Sequence, residues 1–276
     1  MTSSIRTVVH PTDFSDLSGV AFTHALRIAL ATRSQLHLLH VTQHDPGGAL
    51  AFPQVRRLLA QWGVSDENDP PWEIANKLGI EVQNSNVMAQ SPSQGIVGFL
   101  RRNPCDLIVV ATHGTDGVEH WLRGSVSEAM SRQVSVPTLF IAPGARAFVS
   151  QVTGHSHLRR ALVPIDFSPE PRRAIEFVRF IGRVLTGADI ELHLLHVGRS
   201  TPSLRTGSSS SLSLPPVMLR DGNVVGSILD AAIEFDVDVI AMATAGHRNI
   251  LDVLRGSTTE RVIRHAPCPV FAVPAA

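Results

Sequence analysis

The sequence predicts an α/β protein made of two tandem domains of one kind. Three ordered repeats carry this reading. Leu-His-Leu-Leu-His-Val occurs at positions 36–41 and again at 192–197. Pro-x-Asp-Phe-Ser occurs at 11–15 and 164–168, and a glycine separated by nine residues from a Gly-Ser pair occurs at 114–125 and 246–257. Three matches in the same order are the mark of an internal duplication. A length of 276 residues suits two such units.

Hydrophobic periodicity gives each unit the same alternation. Residues 5–10 form a β-branched apolar run, predicted as a strand. Ser15 caps a helix running to about position 31, with Leu17, Ala21, Ala25 and Ile28 on one face. A second strand follows at 35–41. Stretches 54–62 and 72–78 read as helical, split by Asp69-Pro70-Pro71. A third strand is expected at 80–89 and a helix at 93–102. Residues 106–112 hold Leu-Ile-Val-Val without alternation, as suits a strand covered on both faces. A helix at 125–133 and a strand at 137–142 close the unit. The second unit repeats the pattern, with Ser168 and Pro169 expected to start a helix whose stripe is Ala174, Val178, Ile181 and Leu185. Pro137 and Pro269 open the last strands, a placement suited to a sheet edge.

The offsets between copies locate one difference. Asp13 to Asp166 is 153, His40 to His196 is 156, and Gly114 to Gly246 is 132. The second copy therefore lacks 24 residues between its second strand and its glycine motif, and carries a Ser-rich loop at 206–213 in place of a crossover helix. The domains are expected at 1–144 and 159–276, joined by a linker at 145–158.

Alternating strands and helices imply right-handed crossovers and a parallel sheet. Ligands of such sheets bind past the carboxyl ends of strands, where strand order reverses. The repeated motifs fall there. Asp13 and Asp166 follow the first strand of each copy. Gly114 and Gly246 follow the fourth. Glycine after a strand admits close backbone approach, and Gly124-Ser125 or Gly256-Ser257 at a helix start offers free N–H groups, a hydroxyl and the positive end of the helix dipole. Phosphate fits that arrangement. The same residues also make ordinary capping boxes, Ser125-Val126-Ser127-Glu128 and Ser257-Thr258-Thr259-Glu260.

Segments 106–142 and 238–274, the two Pro-x-Asp-Phe-Ser loops and the Leu-His-Leu-Leu-His-Val strands resemble the universal stress protein family over nearly the whole chain. That resemblance implies a Rossmann-like fold and two halves packed as a pseudo-dimer, because single-domain members pair. It implies an adenine nucleotide, ATP or else AMP or ADP, as ligand, with Mg2+ entering only through the nucleotide. Asp13 and Asp166 would contact the nucleoside, and Val41 and Val197 would meet adenine through backbone groups. Gly114, Gly124 and Ser125, with His113 and Val126 beside them, would hold phosphates. So would Gly246, Gly256, Ser257 and Thr258. The family's pattern begins with a glycine where this chain has Ala111 and Ala243.

Other classes are disfavoured by the residues. A formal net charge of zero argues against a general electrostatic grip on nucleic acid or an acidic membrane. His37 and His40 lie three apart on a strand, on opposite faces, and cannot chelate one metal. No metal site and no catalytic residue is assigned. Two cysteines, Cys105 and Cys268, form no disulfide framework. With no apolar run near 18 residues, the expected location is the cytoplasm. The leading reading is a nucleotide-binding stress or regulatory protein that also self-associates through its halves or as a homodimer. The alternatives are an interaction module of the same fold without nucleotide, or a slow ATP hydrolase.

Overall fold

The computed structural model describes residues 4–44, 50–112, 136–200, 202, 214–244 and 258–275. The first half runs β1 (Thr7–Pro11), α1 (Asp16–Thr32), β2 (Gln35–Thr42), α2 (Val55–Gln61), α3 (Pro71–Leu78), β3 (Glu81–Met88), α4 (Pro92–Arg102), β4 (Leu107–Ala111) and β5 (Thr138–Ile141). The second runs β6 (Arg160–Pro164), α5 (Arg172–Thr186), β7 (Glu191–Val197), β8 (Val217–Arg220), α6 (Val224–Glu234), β9 (Val239–Thr244), α7 (Thr258–His265) and β10 (Val270–Pro274).

The ten strands among the described residues form one sheet in the order β3-β2-β1-β4-β5-β10-β9-β6-β7-β8. Within each half the pairings are parallel. The halves meet where β5 and β10 pair antiparallel, Leu139 opposite Phe271. These two residues are equivalents, each second after its proline, Pro137 or Pro269. A residue facing its own counterpart marks a two-fold axis, so the junction has the geometry of an isologous dimer interface. This is the expected pseudo-dimer. It also corrects the edge placement of the two prolines, since β5 and β10 are central. Each proline precedes its strand and contributes only a carbonyl, accepting from Ile108 N–H and Ile240 N–H at 3.0 Å. The N–H it lacks is not needed.

One face of the sheet is common to both halves. Leu107 and Val109 of β4, Val239 and Ala241 of β9, and Phe271 of β10 share a single apolar cluster with Ala25 and Ile28 of α1 and Val178 and Ile181 of α5. The other face is divided. Val9, Leu39 and Ile108 pack under Ile96, Phe99 and Leu100 of α4. Leu162, Ile240 and Met242 pack under Ile228 and Val262 of α6 and α7. The uninterrupted apolar run of β4 is explained by this two-sided cover.

Ser15 caps α1 as expected, accepting from Ser18 N–H, and Arg33 closes it in the left-handed region at φ 53°. The matching helix of the second half does not start at Ser168. It starts at Arg172, behind Pro171. Glu170 precedes Pro171, and a residue before proline is pushed out of the helical region. The Ser-rich stretch at 206–213 and the predicted helix at 125–133 lie outside the described residues.

Segment 145–158 is packed rather than slack. Phe148, Val149 and Leu158 are buried. Arg146 N–H donates to Pro267 O at 2.8 Å and its guanidinium to Val237 O at 2.9 Å, which fastens the segment to the second half. On the other side His24 of α1 donates through Nδ1 to Val20 O at 2.8 Å and accepts at Nε2 from Val149 N–H at 3.3 Å. Trp62 Nε1 donates to Gln151 O at 3.1 Å. Gly154 turns there at φ +68°, and a Cβ on it would meet the Trp62 ring at 2.3 Å. Gly154→Ala is therefore expected to destabilise by about 1–3 kcal/mol, through the clash and the left-handed backbone together. A lower urea midpoint with an unchanged slope would report it.

Candidate functional site

Strand order reverses beside β1, which lies between β2 and β4, and beside β6, which lies between β7 and β9. Each reversal opens a crevice at the carboxyl ends of the strands. Register places the candidates around it. Pro11 pairs with Leu39 and Val9 with Ile108, so Asp13 is level with Val41 and Thr12 with Ala111. Pro164 pairs with Leu195 and Leu162 with Ile240, so Asp166 is level with Val197 and Ile165 with Ala243. The two crevices are built alike.

Backbone parity then decides what the valines offer. Leu39 O accepts from Thr12 N–H at 2.8 Å, so the peptide groups of Leu39 face β1. Val41, two residues on, has the same parity and turns its N–H and C=O toward the crevice. Leu195 O accepts from Ile165 N–H at 2.8 Å, and Val197 follows in the same way. Each crevice thus has an adjacent donor and acceptor on one wall and a carboxylate level with them.

His40 and His196, the final histidines of the repeated strands, hold this rim. A carbonyl can only accept, so His40 Nδ1 donates to Thr12 O at 2.8 Å and His196 Nδ1 to Ile165 O at 3.0 Å. The phenylalanine after each aspartate packs on the histidine. Phe14 stacks on His40 with centroids 4.5 Å apart, while Phe167 meets His196 edge-on at 5.5 Å. Phe52 closes on Phe14 from the other side at 5.5 Å. From sequence alone His40 is considered only as a metal ligand, not as a rim residue. Its recurrence with Asp-Phe at fixed spacing was the available signal. His37 lies on the opposite face, buried against Phe99 at 5.9 Å. Among the described residues no group of three or more His, Cys, Asp or Glu is arranged to hold a metal.

Beneath the first crevice runs a buried polar chain. His10 Nδ1 donates to Val109 O at 2.8 Å, and its Nε2 lies 3.3 Å from Ser18 Oγ. Ser18 Oγ donates to Thr12 Oγ1 at 2.9 Å, and Thr12 Oγ1 accepts from Phe14 N–H at 3.1 Å. Complete burial pushes the His10 imidazole down to about 4, against smaller opposing effects of the Val109 carbonyl and Asp13, so the ring is neutral.

His113, Gly114, Gly124, Ser125, Val126, Gly246, Gly256 and Ser257 lie outside the described residues. Ala111 ends β4, Ala243 stands one residue before the end of β9, and Thr258 opens α7. A cavity of about 780 Å³ lies elsewhere, between α2, α3 and β3, with Ile74, Ile80, Arg56 and Glu81 among its walls. It includes none of Asp13, Val41 and Ala111. We assign it no part in the site.

Residues 4–142 and 214–274 match the universal stress protein family. The chain belongs to that family. Universal stress protein MJ0531 of Methanocaldococcus jannaschii is 28% identical over 140 residues, covering 49% of this chain and 81% of the relative. Two solved structures align with the whole tandem arrangement. A protein of unknown function from Pseudomonas aeruginosa superposes with a TM-score of 0.64 at 19% identity, covering 99% of this chain and 94% of its own. A universal stress protein from Archaeoglobus fulgidus superposes with a TM-score of 0.57 at 21% identity, covering 99% and 97%. At such identities the two structures speak for the fold alone: a double universal stress protein unit spanning one continuous chain. No described helix is long and apolar enough to cross a membrane.

Proposed function

We propose that this universal stress protein binds an adenine nucleotide, ATP foremost, in both crevices. Bound nucleotide then governs its contacts with partner proteins in a stress or regulatory response. The observation that carries the reading is the meeting, in each half, of two complementary groups on one rim, beside the strand from which the sequence motif expected to hold phosphate departs. The backbone N–H and C=O of Val41 or Val197 suit the donor and acceptor edge of adenine. The carboxylate of Asp13 or Asp166 suits the hydroxyls of ribose. The glycine-serine segment that leaves β4 or β9 suits phosphate, through Gly114, Gly124 and Ser125 in one half and Gly246, Gly256, Ser257 and Thr258 in the other. Mg2+ would enter with the nucleotide. The same proposal assigns the protein to the cytoplasm, a reducing compartment in which unpaired Cys105 and Cys268 are the expected state.

Calorimetric titration of the full chain with ATP tests the reading. Replacing both aspartates, Asp13→Ala with Asp166→Ala, is expected to weaken binding roughly 10- to 100-fold per site, the worth of a charge-assisted hydrogen bond. Mass spectrometry of small molecules released on denaturation should identify ATP, ADP or AMP. Equal affinity in the doubly substituted chain, or no binding by the unaltered one, would refute it.

A further inference from the structure

The two crevices share the loop Pro-x-Asp-Phe-Ser but not its hydrogen bonding, and the variable residue accounts for the difference. In the first half that residue is Thr12. Its hydroxyl takes the Phe14 N–H, which holds Phe14 at φ 64°, a left-handed conformation that a bulky side chain rarely adopts. The Phe14 ring then lies flat on His40. With the Phe14 amide engaged by Thr12, Asp13 Oδ1 accepts from Ser15 instead, from its N–H at 3.0 Å and its hydroxyl at 2.7 Å. Two bonds from the residue that caps α1 fix the Asp13 rotamer.

In the second half the residue is Ile165, whose side chain has no acceptor. The Phe167 N–H falls to Asp166 Oδ1 at 2.8 Å. The carboxylate is drawn onto its own neighbour, Phe167 lies outside the left-handed region, and the residue is 65% exposed. The supporting chain is absent as well, since Val163 and Pro171 stand where the first half has His10 and Ser18. Ser168 caps nothing, because α5 starts four residues later.

We propose that Thr12 is a positioning residue that latches the first crevice in a binding-ready form, and that the second crevice, unlatched by Ile165, is the weaker site for the same ligand. This rests on the nucleotide reading above, with the vicinal hydroxyls of the nucleoside as the group Asp13 is held ready to receive. A carboxylate whose rotamer is set by two bonds to one oxygen loses less freedom on binding than one held by a single neighbouring amide.

The crevices can be titrated one at a time in the full chain, the first in an Asp166→Ala background and the second in an Asp13→Ala background. ATP should bind more tightly to the first. Thr12→Val, which keeps the β-branched shape without the hydroxyl, should weaken the first crevice about tenfold and leave the second unchanged. Thr12→Ser should restore the first. Unchanged first-crevice affinity in Thr12→Val, or a tighter second crevice, overturns the proposal. Amide hydrogen exchange without ligand judges the latch separately. The Phe14 amide should exchange about tenfold faster in Thr12→Val than in the unaltered chain or in Thr12→Ser. No acceleration overturns the latch. If ATP binds neither crevice while the amide responds, the nucleotide reading fails and the ranking of the sites with it.

Discussion

Acidification from pH 6.5 to pH 4 is expected to remove about 3 kcal/mol of stability for each of two buried histidines, on the order of 6 kcal/mol together. Burial holds both His10 and His24 down to about 4, well below the ordinary 6.5. Backbone carbonyls oppose this more weakly, as does Asp13 for His10, while His157 adds to it for His24. Between those pH values the unfolded chain binds protons that the native protein refuses, so stability rises with pH. The contribution is complete above 6.5 and gone below about 4. Urea midpoints measured across the window should show the slope. His10→Val, which copies Val163 of the second half, should reduce it by about half while costing on the order of 1 kcal/mol at neutral pH through lost hydrogen bonds. A flat profile through the window would contradict a neutral, buried pair.

The second large effect is expected at the opposite end of the sheet. Asp238 Oδ2 accepts from Arg159 N–H at 2.7 Å and Arg160 N–H at 2.9 Å, tying the start of β9 to the start of β6. Asp106 Oδ2 does the same for Arg6 N–H at 2.8 Å and Thr7 N–H at 3.0 Å. Asp238 is only 6% exposed, so Asp238→Ala would take the acceptor from two part-buried amides. The expected cost is about 3–5 kcal/mol, two charge-assisted bonds' worth. Asp106→Ala, at a half-buried position, should cost less. Denaturant unfolding of the two variants side by side checks the ranking, and equal losses would show that burial does not set it.

Much of the architecture was legible because the chain states it twice. The repeated strand, loop and glycine motifs gave the alternation and the strand ends that carry Asp13 and Asp166, and the structure bears out both. The failures share a cause. A helix start read from Ser168-Pro169 ignored Pro171, whose constraint acts backward on Glu170. The segment at 145–158, expected as a linker from its glycines and histidines, is also packed, and Phe148 and Val149 were the signal for that packing. The repeated loop varies at the position between proline and aspartate. That position is Thr12 in one copy and Ile165 in the other, and it decides which amide each aspartate serves. Its partner Ser18 lies a helical turn into α1, a proximity that only the folded chain displays. Asp106 and Asp238 were findable, being separated by the same 132 positions as the glycine motifs.

The antiparallel seam between β5 and β10 has a genetic consequence. A dimer of separate identical chains meets its partner by collision, and its assembly depends on concentration. Here the partner is tethered, and the seam forms at an effective concentration set by the fourteen-odd residues of 145–158 rather than by expression level. More importantly, identical subunits inherit every substitution in duplicate, so one of their two sites cannot drift while the other is kept. A fused pair escapes that constraint. One gene can retain a threonine in its first crevice and accept an isoleucine in its second, and the contrast between Thr12 and Ile165 is a difference that no symmetric dimer is able to encode.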